Sequence, residues 1–314
     1  LSLSLPTGTY HCLSLEIYGS NKVCLASIAE NSRRRPTGRE RLSERAPSLP
    51  SMDVVILGVG STGRAFAQAC TGGGVTVTLC SADANDVLDA VDSLSSPDTD
   101  GTTDVGAAVD GADVVVETRS AAVETAREQL ADVEDAAPAD AQLLVTVEST
   151  AVTSLAVALR EPERLVGLHS AAPTAWSGPI EVVVPEGASE QQVEAAESFV
   201  ESLGWQPLRV QDTPGLVSDR LRLAQQAEAI RAYEHGVADA ATIDRTLTAA
   251  DGHDVGPLEL ADRQGLDAVL EALDRLADDL GSRYEPPALL VEKVEAGELG
   301  RARGEGFYDW DENR

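Results

Sequence analysis

Ten residues constrain this chain more than any others: Val54-Val55-Ile56-Leu57-Gly58-Val59-Gly60-Ser61-Thr62-Gly63. The apolar, β-branched run reads as a strand buried on both faces. The glycines of a G-x-G-x-x-G follow at once. Residues 65–70 continue as a helix, and 75–79 form a second strand. Strand, glycine turn and helix in that order is the context a dinucleotide-binding turn requires. Gly58 then permits the tight turn, Gly60 lets backbone approach a pyrophosphate, and Gly63 lets helix and strand pack closely. Val59, Ser61 and Thr62 complete a turn whose free N–H groups and positive helix end face phosphates. The competing reading is a glycine turn with no ligand.

Strand and helix signals alternate onward from this turn. Short helices are expected near 87–91 and 152–159, and longer ones over 121–133 and 189–203, the last with Ser189 as N-cap. Strands are expected over 113–117, 142–147, 164–169, 180–185 and 206–210. The polar stretch 93–103 reads as loop, and 107–111 leads into the third strand. This alternation predicts a Rossmann-type doubly wound parallel sheet. After Asp212-Thr213-Pro214-Gly215 the strand signal stops, and helices are expected over 217–235, 239–249, 266–280 and 287–296. The reading divides the chain into 1–51, a dinucleotide-binding domain over 52–211 and an all-α domain over 212–314.

Composition separates the first segment from the rest. Of 24 Lys and Arg and 53 Asp and Glu, residues 1–51 hold seven and four, leaving the body 17 against 49, a net of −32. The leader is rich in Ser, Pro and Arg, with Ser32-Arg33-Arg34-Arg35-Pro36 at its centre, and the only methionine is Met52. The expectation is that the natural protein starts at Met52 and that the leader is upstream sequence. A targeting segment is the rival, but residues 1–5 are too short and Ser-interrupted for a signal core. The body's single lysine is Lys293. Its acidic, lysine-poor composition resembles cytoplasmic, haloarchaeal proteins, so a cytoplasmic location is expected. Such charge argues against nucleic acid as a partner, which needs a basic face, and against an anionic membrane surface. No apolar run is long enough to span a bilayer. Cys70 and Cys80 are isolated on expected core elements and read as reduced, with no metal spacing. Cys12 and Cys24 belong to the leader.

His169 ends a strand, where ligands meet such sheets. Glu181 lies in the next strand, with Pro173 and Gly178 turning the chain between them. A carboxylate beside an imidazole orients it and stabilises its protonated form, as a general base requires. The competing reading is a histidine satisfied within a loop.

With these residues in place, the chain resembles the L-3-hydroxyacyl-CoA dehydrogenases from Asp53 to Trp310. The similar blocks are the glycine turn, Val114-Val115-Val116-Glu117, Gly167-Leu168-His169 with Pro173 and Glu181, and Thr213-Pro214-Gly215-Leu216-Val217. They continue with the stretch 228–237, Gly256-Pro257-Leu258-Glu259-Leu260-Ala261-Asp262, Gly265-Leu266-Asp267 and Gly304-Glu305-Gly306-Phe307-Tyr308. The resemblance implies an enzyme of fatty acid metabolism that binds NAD. His169 would take the proton of a 3-hydroxyl as hydride leaves carbon 3, Glu181 would hold the imidazole, and the helical domain would close the cleft and form a homodimer. Glu117 would border the cofactor.

The chain also departs from the pattern. Glu148, with Ser149 beside it, stands where the family has a substrate-touching Ser, and Asp219, before Arg220, stands where it has Asn. Ala172 replaces another Asn, and Ala121 and Ala126 replace an acid and a lysine. The stretch 81–112 is shorter than the family's CoA-gripping hairpin. Ser81 stands where an acid should meet the ribose; Asp83 is expected to serve instead, and with no Arg following, NAD is favoured over NADP. Gly256-Pro257 and 304–308 read as turn and tail packing. Three readings remain: a 3-hydroxyacyl-CoA dehydrogenase, a dehydrogenase of a smaller hydroxy acid like the related gulonate dehydrogenases, and a nucleotide-binding homologue without catalysis.

The charge leads to a test. Molar salt shortens the Debye length to about 3 Å and screens self-repulsion. The melting temperature is expected to rise steeply with KCl and to fall sharply in dilute buffer; a scan across that range checks it.

Overall fold

The computed structural model describes residues 52–71, 75–119, 122–171, 176–252 and 254–310. The expected leader with Cys12 and Cys24 lies outside these residues, as do Ala121, Ala172 and Pro173. Strand β1 (Asp53–Leu57) runs into α1 (Ser61–Thr71), followed by β2 (Thr76–Cys80), α2 (Ala84–Leu94), β3 (Thr99–Thr102), α3 (Val105–Val109) and β4 (Val114–Glu117). Then come α4 (Val123–Ala136), β5 (Gln142–Thr146), α5 (Val152–Ala156), β6 (Leu165–His169), β7 (Pro179–Val184), α6 (Glu190–Ser202) and β8 (Gln206–Gln211). The sheet order is β3-β2-β1-β4-β5-β6-β7-β8. This is the Rossmann arrangement, with the crevice where the chain switches from β1 to β4. Among the described residues five α-helices follow: α7 (Ser218–Glu234), α8 (Ala240–Asp251), α9 (Pro257–Gln264), α10 (Leu266–Leu280) and α11 (Ala288–Ala296).

The central strands are apolar because both faces are covered. Ile56, Val77, Leu79, Val116, Leu144 and Leu168 pack with Phe66 on one face; Val55, Leu57, Val115, Leu143 and Leu165 pack with Leu130 and Leu155 on the other. Cys70 and Cys80 are buried and free. Burial pushes both thiols above the ordinary value, so they stay protonated. As expected, Ser189 caps α6, its hydroxyl accepting from Gln192 N.

The elements differ from expectation at four places. The stretch read as loop, 93–103, contains β3. Its Thr-Asp-Gly-Thr sequence is polar because it pairs only with β2, at the sheet edge. The segment leading into β4 contains α3, capped by the Asp104 carboxylate. Gly256-Pro257, read as a turn, opens α9, with Pro257 in its first turn where its missing N–H costs nothing. The sheet is also not wholly parallel: β7 runs antiparallel to β6 and pairs His169 with Glu181 across the strands.

The helical domain is locked by two buried carboxylates. Asp244 accepts from Leu258 N and Glu259 N at the start of α9 (both 2.9 Å) and from the Tyr308 hydroxyl (2.7 Å). Asp262 accepts from Phe307 N, Tyr308 N and Trp310 Nε1, each at 2.9 Å. The tail thus packs onto α9, and Gly306 is required there because a Cβ would lie 2.2 Å from Asp262 Oδ1.

Asp262→Ala should unseat that tail. A buried donor left unpaired costs about 1–3 kcal/mol, and three are released. A loss of roughly 3 kcal/mol or more is expected in denaturant titrations, with the tail becoming protease-sensitive.

Candidate active site

The Gly-rich turn joins β1 to α1 across the crevice. Gly58 has φ +106°, and a Cβ there would meet Arg119 Cγ at 2.8 Å. At Gly63 a Cβ would lie 2.1 Å from the Gly58 carbonyl. These two glycines are therefore demanded by the fold itself. Gly60 is different: a Cβ there would meet nothing within 4 Å. The protein leaves open space beside that backbone, as a dinucleotide requires. Ser61, Thr62 and Gly63 form the first turn of α1, whose N–H groups have no partners within the helix. The turn therefore fits a pyrophosphate.

At the end of β4, Glu117 is buried and its carboxylate is gripped by Arg119 through both Nε (2.8 and 3.0 Å) and Nη2, while Arg119 N donates to it at 2.7 Å. The pair lines a cavity with Thr62, Thr146, Glu148 and Trp176. Ala126 lines it too, where the resembling family carries lysine. A second cavity lies between sheet and helices, lined by Pro214, Asp219, Leu223 and Leu276. Glu148 and Ser149 line both cavities and so mark their junction.

The antiparallel turn from β6 into β7 puts His169 and Glu181 side by side, both buried, with Nδ1 and Oε2 2.9 Å apart. Glu181 Oε1 accepts from Val217 N (3.0 Å) and Ser218 N (3.1 Å), and Oε2 accepts from Ser218 Oγ (2.6 Å). Burial pushes the Glu181 carboxyl up, but the donors His169 and Ser218 more than reverse it and hold it below the ordinary value. A carboxylate can only accept, so Nδ1 donates in this contact and Nε2 is the ring nitrogen not engaged by Glu181. Nε2 lies 3.8 Å from Asp219 Oδ2, whose other oxygen accepts from Arg222 Nη2 at 2.6 Å.

Residues 53–213 match the family described as 3-hydroxyacyl-CoA dehydrogenase, NAD binding domain, and 215–310 match its C-terminal domain. The chain belongs to the 3-hydroxyacyl-CoA dehydrogenase family. A 3-hydroxybutyryl-CoA dehydrogenase of Bradyrhizobium diazoefficiens is 34% identical over 199 residues, 63% of this chain and 68% of that one. One from Mycobacterium tuberculosis is 34% identical over 173 residues, 54% of this chain and 60% of that one. The crystal structure of (S)-3-hydroxybutyryl-CoA dehydrogenase from Ralstonia eutropha superimposes with a TM-score of 0.78 at 25% identity, covering 83% of this chain and 99% of that one. The chain is thus an oxidoreductase of the 3-hydroxyacyl-CoA dehydrogenase type with NAD as cofactor.

Asp83, expected at the ribose, is the N-cap of α2, its Oδ1 accepting from Asn85 N (2.8 Å) and Asp86 N (3.2 Å). Ser81 follows the end of β2, and its N–H donates to Thr102 O at 3.4 Å. Three residues escaped the sequence reading: Ser218, Arg119 and Arg222. Ser218 is the first residue of α7, after Val217 at the N-cap, and nothing local signals that its hydroxyl reaches Glu181.

Gly60→Val places a branched side chain in the open space while leaving the fold's contacts intact. Loss of NADH binding by fluorescence titration, with an unchanged melting temperature, is expected.

Proposed function

We propose that this protein oxidises a 3-hydroxyacyl-CoA, or reduces the 3-keto counterpart, with His169 as general base and Glu181 as its holder. The observation that supports the reading most is the 2.9 Å His169–Glu181 contact, made by cross-strand partners at the end of β6. Bound NAD supplies the acceptor for hydride from carbon 3. The turn Gly58-Val59-Gly60-Ser61-Thr62-Gly63 would hold it, with Ser81 and Glu117 bordering the site. His169 Nε2 would take the proton of the 3-hydroxyl, and the imidazolium so formed would lie between Glu181 and Asp219. Glu148, Ser149 and Asp219 would face the substrate where the two cavities meet. Residues 81–112 hold only two short helices and β3. This compactness supports a second reading in which a smaller hydroxy acid replaces the CoA ester. A homodimer through the helical domain and a cytoplasmic location, in keeping with the acidic body, belong to the proposal. Among the described residues, no helix is long and apolar enough to cross a membrane.

His169→Gln should lower turnover of acetoacetyl-CoA with NADH by about 10²–10⁴-fold and leave NADH binding unchanged. Glu181→Gln should lower it too, and the double variant should be little worse than His169→Gln, because the pair acts as one unit. Ser218→Ala should show a smaller kcat loss with KM unchanged, and Ser218→Thr should restore part of it. Glu148→Ser with Asp219→Asn should raise activity on acetoacetyl-CoA. If wild type and that variant are inactive on acetoacetyl-CoA and on small keto acids, yet bind NADH, the catalytic reading fails.

A further inference from the structure

A carboxylate stands just short of the nitrogen that is to pass the proton. Asp219 Oδ2 lies 3.8 Å from His169 Nε2, outside hydrogen-bond reach. Once His169 is protonated the two groups carry opposite charge and attract. A carboxylate that closed on Nε2 would take the bond that the substrate oxygen needs. An acid at position 219 therefore has to be restrained for the imidazole to work.

Arg222 supplies the restraint. It lies three residues along α7, on the same face as Asp219, and its Nη2 donates to Asp219 Oδ1 at 2.6 Å. Oδ1 is the carboxylate oxygen that does not approach His169. On its far side the guanidinium donates from Nη1 to Gln264 Oε1 at 2.9 Å, at the end of α9. Gln226, buried on α7, donates from Nε2 to the same Gln264 oxygen at 2.8 Å. The anchor thus spans two packed helices, and a line of polar contacts runs from Asp219 through Arg222 to Gln264. Arg222 Nε is buried and has no hydrogen-bond partner among the described residues. An unpaired buried N–H is unfavourable, so helix packing alone does not account for an arginine at this position.

We infer that Arg222 is a positioning residue: it tethers Asp219 through Oδ1, keeps Oδ2 off His169 Nε2, and so leaves that nitrogen to the substrate. The inference rests on the catalytic reading proposed above. Its test uses the full chain at one fixed KCl concentration, reducing acetoacetyl-CoA with NADH, with the melting temperature of each variant. Arg222→Leu should lower kcat by about tenfold or more and leave the KM for NADH unchanged, because the freed carboxylate engages the proton-passing nitrogen. Arg222→Lys keeps the cation and should lose less than Arg222→Leu. Adding Asp219→Asn to Arg222→Leu should raise kcat by about fivefold or more over Arg222→Leu, since no carboxylate is left to restrain. A merely structural Arg222 predicts the reverse, a second substitution in one network adding to the loss. Where Arg222→Leu does not fold, Arg222→Gln, neutral and able to bond Gln264, is read by the same criteria. Wild-type kcat in Arg222→Leu overturns the inference, as does a loss confined to KM or a double variant no faster than Arg222→Leu. A wild type that binds NADH but turns over neither acetoacetyl-CoA nor small keto acids refutes the catalytic reading and the inference with it. Failure of the inference alone leaves wild-type turnover and the His169→Gln loss in place.

Discussion

The Glu181 carboxylate holds the two halves of the molecule in working register. It lies on β7, within the sheet, and accepts from His169 on β6 and from Val217 and Ser218 at the start of α7. Those last donors belong to the helical domain, so one side chain fixes the imidazole and the first turn of the first helix together. The N–H groups of a helix start favour negative charge, which helps keep Glu181 ionised despite burial. The linker is bent to deliver them. Gly215 has φ +72° and Leu216 φ +47°, a left-handed conformation that costs an L-residue roughly 1–2 kcal/mol. Burial of the Leu216 side chain in the sheet's core offsets that cost. At the other end of the linker, Asp212 accepts from Val152 N and Thr153 N, tying the end of β8 to α5.

Much of this was legible from the chain alone, for physical reasons. Central strands such as Val114–Glu117 are apolar on both faces, and the glycine turn must carry glycine at 58 and 63 because Cβ atoms there would collide. His169 stood out because it ends such a strand. What stayed hidden lacked a periodic signal. β3 is a polar edge strand, and α9 opens on Gly-Pro, which reads equally as a turn. The direction of β7 is invisible because apolar runs look alike in parallel and antiparallel pairing. Ser218 and Arg222 were missed because their roles depend on partners brought close by the fold, Glu181 in one case and Gln264 in the other. Asp83 has a further part that its place after β2 did not announce: its Oδ1 caps α2.

The two acids that stand where the family has neutral residues are not equivalent. Asp219 lies 3.8 Å from His169 Nε2, but its charge is matched by Arg222, which is itself tied to Gln264 Oε1 at 2.9 Å. Asp219 is therefore half of a held ion pair, and a proton acquired by His169 would only complete a network of alternating charge. Glu148 has no ion pair among the described residues and borders both cavities. An alkoxide developing at their junction would feel that uncompensated carboxylate far more than it would feel Asp219, since an opposite charge a few ångströms away cancels most of a carboxylate's field. On the proposed reading, Glu148 would be the departure that bears on which substrate oxygen the site can receive, while Asp219, facing the same junction, would also bear on the charge around the imidazole.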